Sequence, residues 1–134
     1  MRPTFLDVFH ALAVGLAQRS TCRRLHVGAV LVSTDYRTVY GIGYNGNASG
    51  GVNDCDTSTP GNCGDVHAEA NALLNSTARR GDAAILVLTH SPCMACSKLI
   101  VNAGNVELVS YVTEYRDTAP LLMLQRHGVA TVRR

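Results

Sequence analysis

Apolar residues at Phe5, Phe9, Leu12 and Leu16 recur at helical spacing behind Thr4, and Asp7 stands three residues after that threonine. The pattern predicts an amphipathic helix opened by a capping box, with its stripe turned to the core. Val27 to Val32 and Thr38 to Gly43 are β-rich runs, and Thr34-Asp35-Tyr36-Arg37 between them reads as the turn of a hairpin. From Tyr44 to Val66 there is no periodicity; Asn, Gly, Asp, Ser, Thr and Pro recur throughout, and a loop of that length is usually kept for function. Beyond it, helical patterns at His67 to Ala78, Pro92 to Ala103 and Ala119 to Arg126 alternate with strands expected at Ala84 to Thr89, Val106 to Val112 and Gly128 to Val132. Such alternation implies parallel strand pairs crossed by helices, here grafted onto an antiparallel hairpin. The expected fold class is α/β, in three layers.

Composition narrows the picture. At 134 residues with 46% hydrophobic content, the chain suits one core and one domain over 1–134. Twelve basic and ten acidic residues leave a net charge of +2, scattered along the chain, which demands no polyanionic partner. Arg133 and Arg134 read as a solvated tail. Asp7 and His10 interrupt the apolar start, so no secretory segment is expected there, and no stretch approaches membrane-spanning length. Five cysteines are an odd number, and two lie in a C-x-x-C; both facts favour metal ligation in a reducing, cytoplasmic setting over a disulfide framework.

The chemistry concentrates in His67-Ala68-Glu69 and Pro92-Cys93-Met94-Ala95-Cys96. One imidazole and two thiolates suit zinc, and three protein ligands leave a fourth tetrahedral position open for water, as in catalytic sites. Ser91 and Pro92 read as an N-cap and N1 pair, which places Cys93 and Cys96 on one face of the first turns of a helix. Asp65 can cap the helix that begins at His67. Two positive helix ends would then favour the thiolates. Glu69, beside a ligand but not itself one, can take a proton from water and hand it to a leaving amine. The alternatives for these residues are a structural zinc knot with Glu69 on the surface, or a redox C-x-x-C.

Together the two segments match the H-x-E…P-C-x-x-C signature of zinc-dependent nucleobase deaminases. Ser20-Thr21-Cys22-Arg23-Arg24-Leu25-His26-Val27-Gly28-Ala29, Gly43-Tyr44-Asn45-Gly46 and Gly50-Gly51-Val52-Asn53 extend the likeness. Over nearly its whole length the chain resembles the deoxycytidylate (dCMP) deaminases of the cytidine deaminase-like superfamily. Riboflavin-pathway and tRNA adenosine deaminases share the zinc motif but usually not the Gly-Tyr-Asn-Gly loop. The resemblance implies a cytidine deaminase-like fold, a five-stranded mixed sheet flanked by helices, and hydrolysis of dCMP to dUMP and ammonia. Water activated on a catalytic zinc held by His67, Cys93 and Cys96 would attack C4 of the cytosine while Glu69 shuttles protons.

The same resemblance implies that the Ser91 carbonyl accepts from the exocyclic amine, that Asn45 lies near the sugar, and that Tyr115 lies over the base. Arg24 matches a basic position that could neutralise the 5′ phosphate, with Arg23 and His26 as neighbours able to share the task. A solvated Arg24 and a partly buried Tyr115 are the alternatives. Some microbial and phage members carry a second, structural zinc, and Cys22, Cys55 and Cys63 stand in the corresponding regions. Asp65, His26 and Asp54 compete to be its fourth ligand, and such a closed site would stabilise the long loop. The alternative is three buried or free thiols. dCTP and dTTP as effectors, and a homo-oligomer that is frequently a hexamer, follow from the resemblance too. A modified deoxycytidylate or a free cytosine nucleoside stays open as substrate. A polynucleotide-binding or editing protein is disfavoured, because two Phe and five Tyr supply no basic stripe with interleaved aromatics.

Overall fold

The structure, a computed structural model, describes residues 1–54 and 64–134. Its elements run α1 (Phe5–Ala17), β1 (Gly28–Ser33), β2 (Val39–Tyr44), α2 (Ala68–Leu74), β3 (Ala84–His90), α3 (Met94–Ala103), β4 (Val106–Thr113), α4 (Ala119–Arg126) and β5 (Ala130–Arg133). The strands form one sheet in the order β2-β1-β3-β4-β5. β1 pairs antiparallel with both β2 and β3. β3, β4 and β5 pair in parallel, with α3 and α4 as the crossovers. The expected hairpin grafted onto parallel crossovers is the observed topology.

Period-two alternation along the central strands feeds two cores. Ala29, Leu31, Leu86 and Leu88 point to one face, where Ala68 and Ala72 of α2, Ile100 of α3 and Leu121 and Leu124 of α4 cover them. Val30, Val32, Ile85 and Val87 point to the other, against Phe9 and Ala13 of α1. The sheet is therefore the middle of three layers.

Three local expectations need correction. In α1 the capping box forms as expected: Thr4 Oγ1 accepts the Asp7 N–H at 3.1 Å, and Asp7 Oδ2 accepts the Thr4 N–H at 2.8 Å. The buried face, however, is Phe9, His10, Ala13 and Ala17, while Phe5 is 59% and Leu12 39% exposed. Small residues win because α1 lies directly on β1: a Cβ on Gly28 would overlap the Ala13 carbonyl. Next, α2 ends at Leu74, short of the expected Ala78, because the chain turns back to the sheet, where the Thr77 N–H donates to the Tyr40 carbonyl at 2.9 Å. Finally, the terminal arginines are anchored. Arg134 pairs with Asp7, and its N–H donates to the Tyr111 carbonyl at 2.7 Å. Arg133 lies 3.7 Å from Glu114.

Candidate active site

The site begins with how α2 is seated. Gly41 and Gly43 of β2 face α2, and a Cβ on either would overlap the helix backbone, at the carbonyls of Ala72 and Ala68. Asn71 Nδ2 donates to the Tyr44 carbonyl at 2.8 Å and Asn75 Nδ2 to that of Ile42 at 3.0 Å, so two side chains clamp the helix to the strand. His67 is the N-cap of α2 and Cys93 that of α3, with Cys93 Sγ accepting the Cys96 N–H at 3.5 Å. This corrects both expected caps. Ser91 Oγ accepts from the Tyr115 N–H instead of capping α3, and α2 has no side-chain cap bond from Asp65. Cap assignments read from local sequence lose here to longer-range bonds.

His67 Nδ1 lies 3.4 Å from Cys93 Sγ and 3.3 Å from Cys96 Sγ. A tetrahedral zinc with bonds of about 2.3 Å to sulfur and about 2.0 Å to nitrogen has N···S edges of roughly 3.5 Å. The donor set and its spacing fit zinc, and among the described residues these three form the cluster able to hold a metal. Without metal the Cys93 thiol is pulled down to about 4, first by the Cys96 hydrogen bond and then by His67. Cys96 is pushed up, first by that same bond and then by burial. Cys93 is thus the more acidic of the two thiols. The His67 imidazole is raised, chiefly by its hydrogen bond to Cys93.

Glu69, one helical residue on from Ala68, is 5% exposed. Burial pushes its carboxyl up to about 7, against the lowering effects of a backbone hydrogen bond and of His67. It faces a cavity of about 710 Å³ that also takes in His67 and Cys93, a size ordinary for small-molecule sites.

Other expected residues distribute unevenly around that cavity. Cys22, Arg24, Asn45 and Tyr115 line it. Ser91 does not; it is 1% exposed behind the lining, where it holds Tyr115. Asn45 is pinned to backbone, Oδ1 accepting the Val27 N–H at 2.9 Å and Nδ2 donating to the Leu25 carbonyl at 2.8 Å. Arg24 is exposed at the rim, whereas Arg23 pairs with Asp54 at 2.7 Å, and His26 is exposed outside the lining. The Tyr115 phenol is raised by burial first and Glu69 second. Cys22 is buried, while Cys55 and Cys63 lie outside the described residues. Asp65 also lines the cavity, its carboxylate oxygens buried without a hydrogen-bond partner among the described residues. Sequence reasoning missed Arg116 and Asp117, which the β4–α4 connection brings to the rim beside Tyr115. Adjacency to Tyr115 was the available signal.

A carboxylate held beside a three-ligand metal cluster, without joining it, defines a class: the zinc-dependent deaminases, in which such a glutamate moves the protons. Within that class the chain belongs to the cytidine and deoxycytidylate deaminase family, whose zinc-binding region matches residues 4–113. It is 41% identical over 129 residues to a deoxycytidylate deaminase of Mycobacterium phage D29, covering 84% of this chain and 98% of that protein. Deoxycytidylate deaminase of Homo sapiens is 33% identical over 138 residues, covering 92% and 75% of the two chains. The crystal structure of dCMP deaminase from the cyanophage S-TIM5 in complex with dCMP and dUMP is 35% identical, with a TM-score of 0.86 over 100% of this chain and 99% of that one.

Proposed function

We propose that residues 1–134 form one catalytic domain that hydrolyses dCMP to dUMP and ammonia. The observation that carries the reading is the buried Glu69 carboxylate, set in one cavity with the His67–Cys93–Cys96 cluster and with Arg24 at the rim. His67, Cys93 and Cys96 hold the catalytic zinc. When bound, the metal supplies Lewis acidity that makes water nucleophilic near neutral pH. Glu69 takes the proton of the attacking water, delivers it to N3 of the cytosine, and then transfers the second proton to the amino nitrogen as the C4–N bond breaks. The Ser91 carbonyl accepts from the exocyclic amine; Pro92, which shares a peptide unit with that carbonyl, lines the cavity, and this supports the role although the Ser91 side chain lies behind the lining. Asn45, already spending one Nδ2 hydrogen on Leu25, keeps the other for the sugar. Tyr115 covers the base, and Arg24 neutralises the 5′ phosphate.

The reading extends to a second, structural zinc on Cys22, Cys55 and Cys63, and to dCTP and dTTP as effectors. It also includes a homo-oligomer, hexameric as the resemblance implies, favoured by the exposed apolar residues Phe5, Val8 and Leu12 of α1. Thiolate ligands favour a reducing, cytoplasmic setting. Among the described residues no helix is long and apolar enough to cross a membrane.

Ammonia release by zinc-loaded protein, measured over cytosine nucleosides, nucleotides and oligonucleotides, tests the proposal. The highest kcat/KM is expected for dCMP; a faster free nucleoside, modified deoxycytidylate or single-stranded oligonucleotide would displace it.

A further inference from the structure

We propose that His90, which ligates nothing in the metal cluster, is a positioning residue that fixes the Tyr115 ring over the pocket and thereby sets affinity for the base. His90 is the last residue of β3 and pairs with Thr113 of β4. Its ring stacks on that of Tyr115, with centroids 5.8 Å apart and planes 28° from parallel. This is an offset geometry of the kind aromatic pairs prefer. The next residue holds the same tyrosine by its backbone, Ser91 Oγ accepting the Tyr115 N–H at 2.8 Å. Ring and main chain of Tyr115 are thus tied to two consecutive residues of one segment.

That segment is itself anchored. Thr89 Oγ1 accepts the Gly28 N–H at 3.1 Å and lies 2.8 Å from His90 Nδ1. With one lone pair given to Gly28, the threonine hydroxyl keeps its hydrogen and a second lone pair for Nδ1, so Thr89 holds this edge of the ring in either neutral tautomer. Burial lowers the His90 pKa and favours that neutral ring. Three residues after His90, the same run of chain delivers Cys93 to the metal cluster. Residues 89–93 therefore set the base platform and a metal ligand on one rigid piece. A Tyr115 released from His90 keeps its backbone bond but gains ring freedom, so ground-state binding suffers before chemistry does.

The inference rests on the dCMP reading for its substrate, and the test separates the two. In zinc-loaded protein, His90→Ala is expected to raise the KM for dCMP about three- to tenfold, with kcat changed less than about twofold. His90→Asn keeps a partner for Thr89 but no stacking ring, and should behave like His90→Ala. His90→Phe restores a ring and should restore KM. Tyrosine ring signals in the NMR spectrum of ligand-free protein supply a readout independent of turnover, and those of Tyr115 should shift in His90→Ala and His90→Asn. Unmoved Tyr115 signals, an unchanged KM in both variants, or no rescue by phenylalanine would each overturn the proposal. Wild-type protein that leaves dCMP untouched would overturn the substrate reading alone, and the Tyr115 signals would still decide whether His90 holds the ring.

Discussion

Glu69 owes its proton affinity to its surroundings: burial holds the carboxyl at about 7, although His67 and a backbone N–H both pull it down. An amide in its place keeps shape and removes the proton carrier. Glu69→Gln is therefore expected to retain about one catalytic zinc per chain by metal analysis while ammonia release falls by about 10² to 10⁴. Full activity in that variant would remove Glu69 from the proton path. The role proposed for Arg24 is of a different kind: the residue is exposed at the rim, and it would touch the reaction only through the substrate's charge. Arg24→Ala should raise the KM for dCMP by about tenfold or more, the scale of a hydrogen bond to a charged group, and leave that for deoxycytidine nearly unchanged. Equal effects on both substrates would mean that Arg24 does not hold the phosphate. His67, Cys93, Cys96 and Glu69 were legible in the sequence because catalytic zinc chemistry fixes residue types at short spacing. His90 was not, because its role depends on Tyr115, 25 positions later.

At the scale of elements, the metal cluster is only as well placed as α2, and α2 is only as well placed as its contact with β2. Gly41 and Gly43 allow that contact by having no side chain, and Asn71 and Asn75 fasten it. A methyl at Gly43 meets the Ala68 carbonyl, the nitrogen of Ala72 and Cβ of Asn71, and two of these are backbone atoms that cannot rotate away. Gly43→Ala should destabilise the protein by about 1–3 kcal/mol, the range for overpacked interiors, and shift the helix that carries His67 and Glu69. A lowered melting temperature together with weaker zinc retention is the expected result; an unchanged melting temperature would show that α2 yields without cost. Strand periodicity and alternation were readable from the sequence, and so was the Thr4–Asp7 cap, whose partners are three residues apart. The start of α3 and the end of α2 were misread for one reason: Ser91 and Thr77 bond to residues far along the chain, which no local cap or propensity rule sees.

At the scale of the molecule, α1, the one helix on its face of the sheet among the described residues, raises a question that its sequence pattern hid. The stripe of large apolar residues suggested that Phe5 and Leu12 turn inward, but close approach to Gly28 selects the face with Ala13 and Ala17, and His10 goes in with them. His10 Nε2 lies 2.8 Å from Ser110 Oγ of β4, while Nδ1 is buried with no partner among the described residues. Burial lowers the pKa of this imidazole, so it is neutral in the fold. Below the unfolded value of about 6.5, the unfolded chain binds a proton that the folded chain refuses, and stability falls with pH. The contribution is intact above that value and is lost progressively on acidification until the folded group titrates too, with a slope of at most about 1.4 kcal/mol per pH unit. Denaturant midpoints of zinc-loaded wild type and His10→Gln, compared between about pH 7.5 and 5.5, isolate this term from every other titrating group. The wild type should lose more stability across that interval than the glutamine variant, which keeps a polar partner for Ser110 but cannot take the proton. Parallel pH profiles would show that His10 is protonated as easily in the fold as in the unfolded chain, and that α1 does not dock through a neutral histidine.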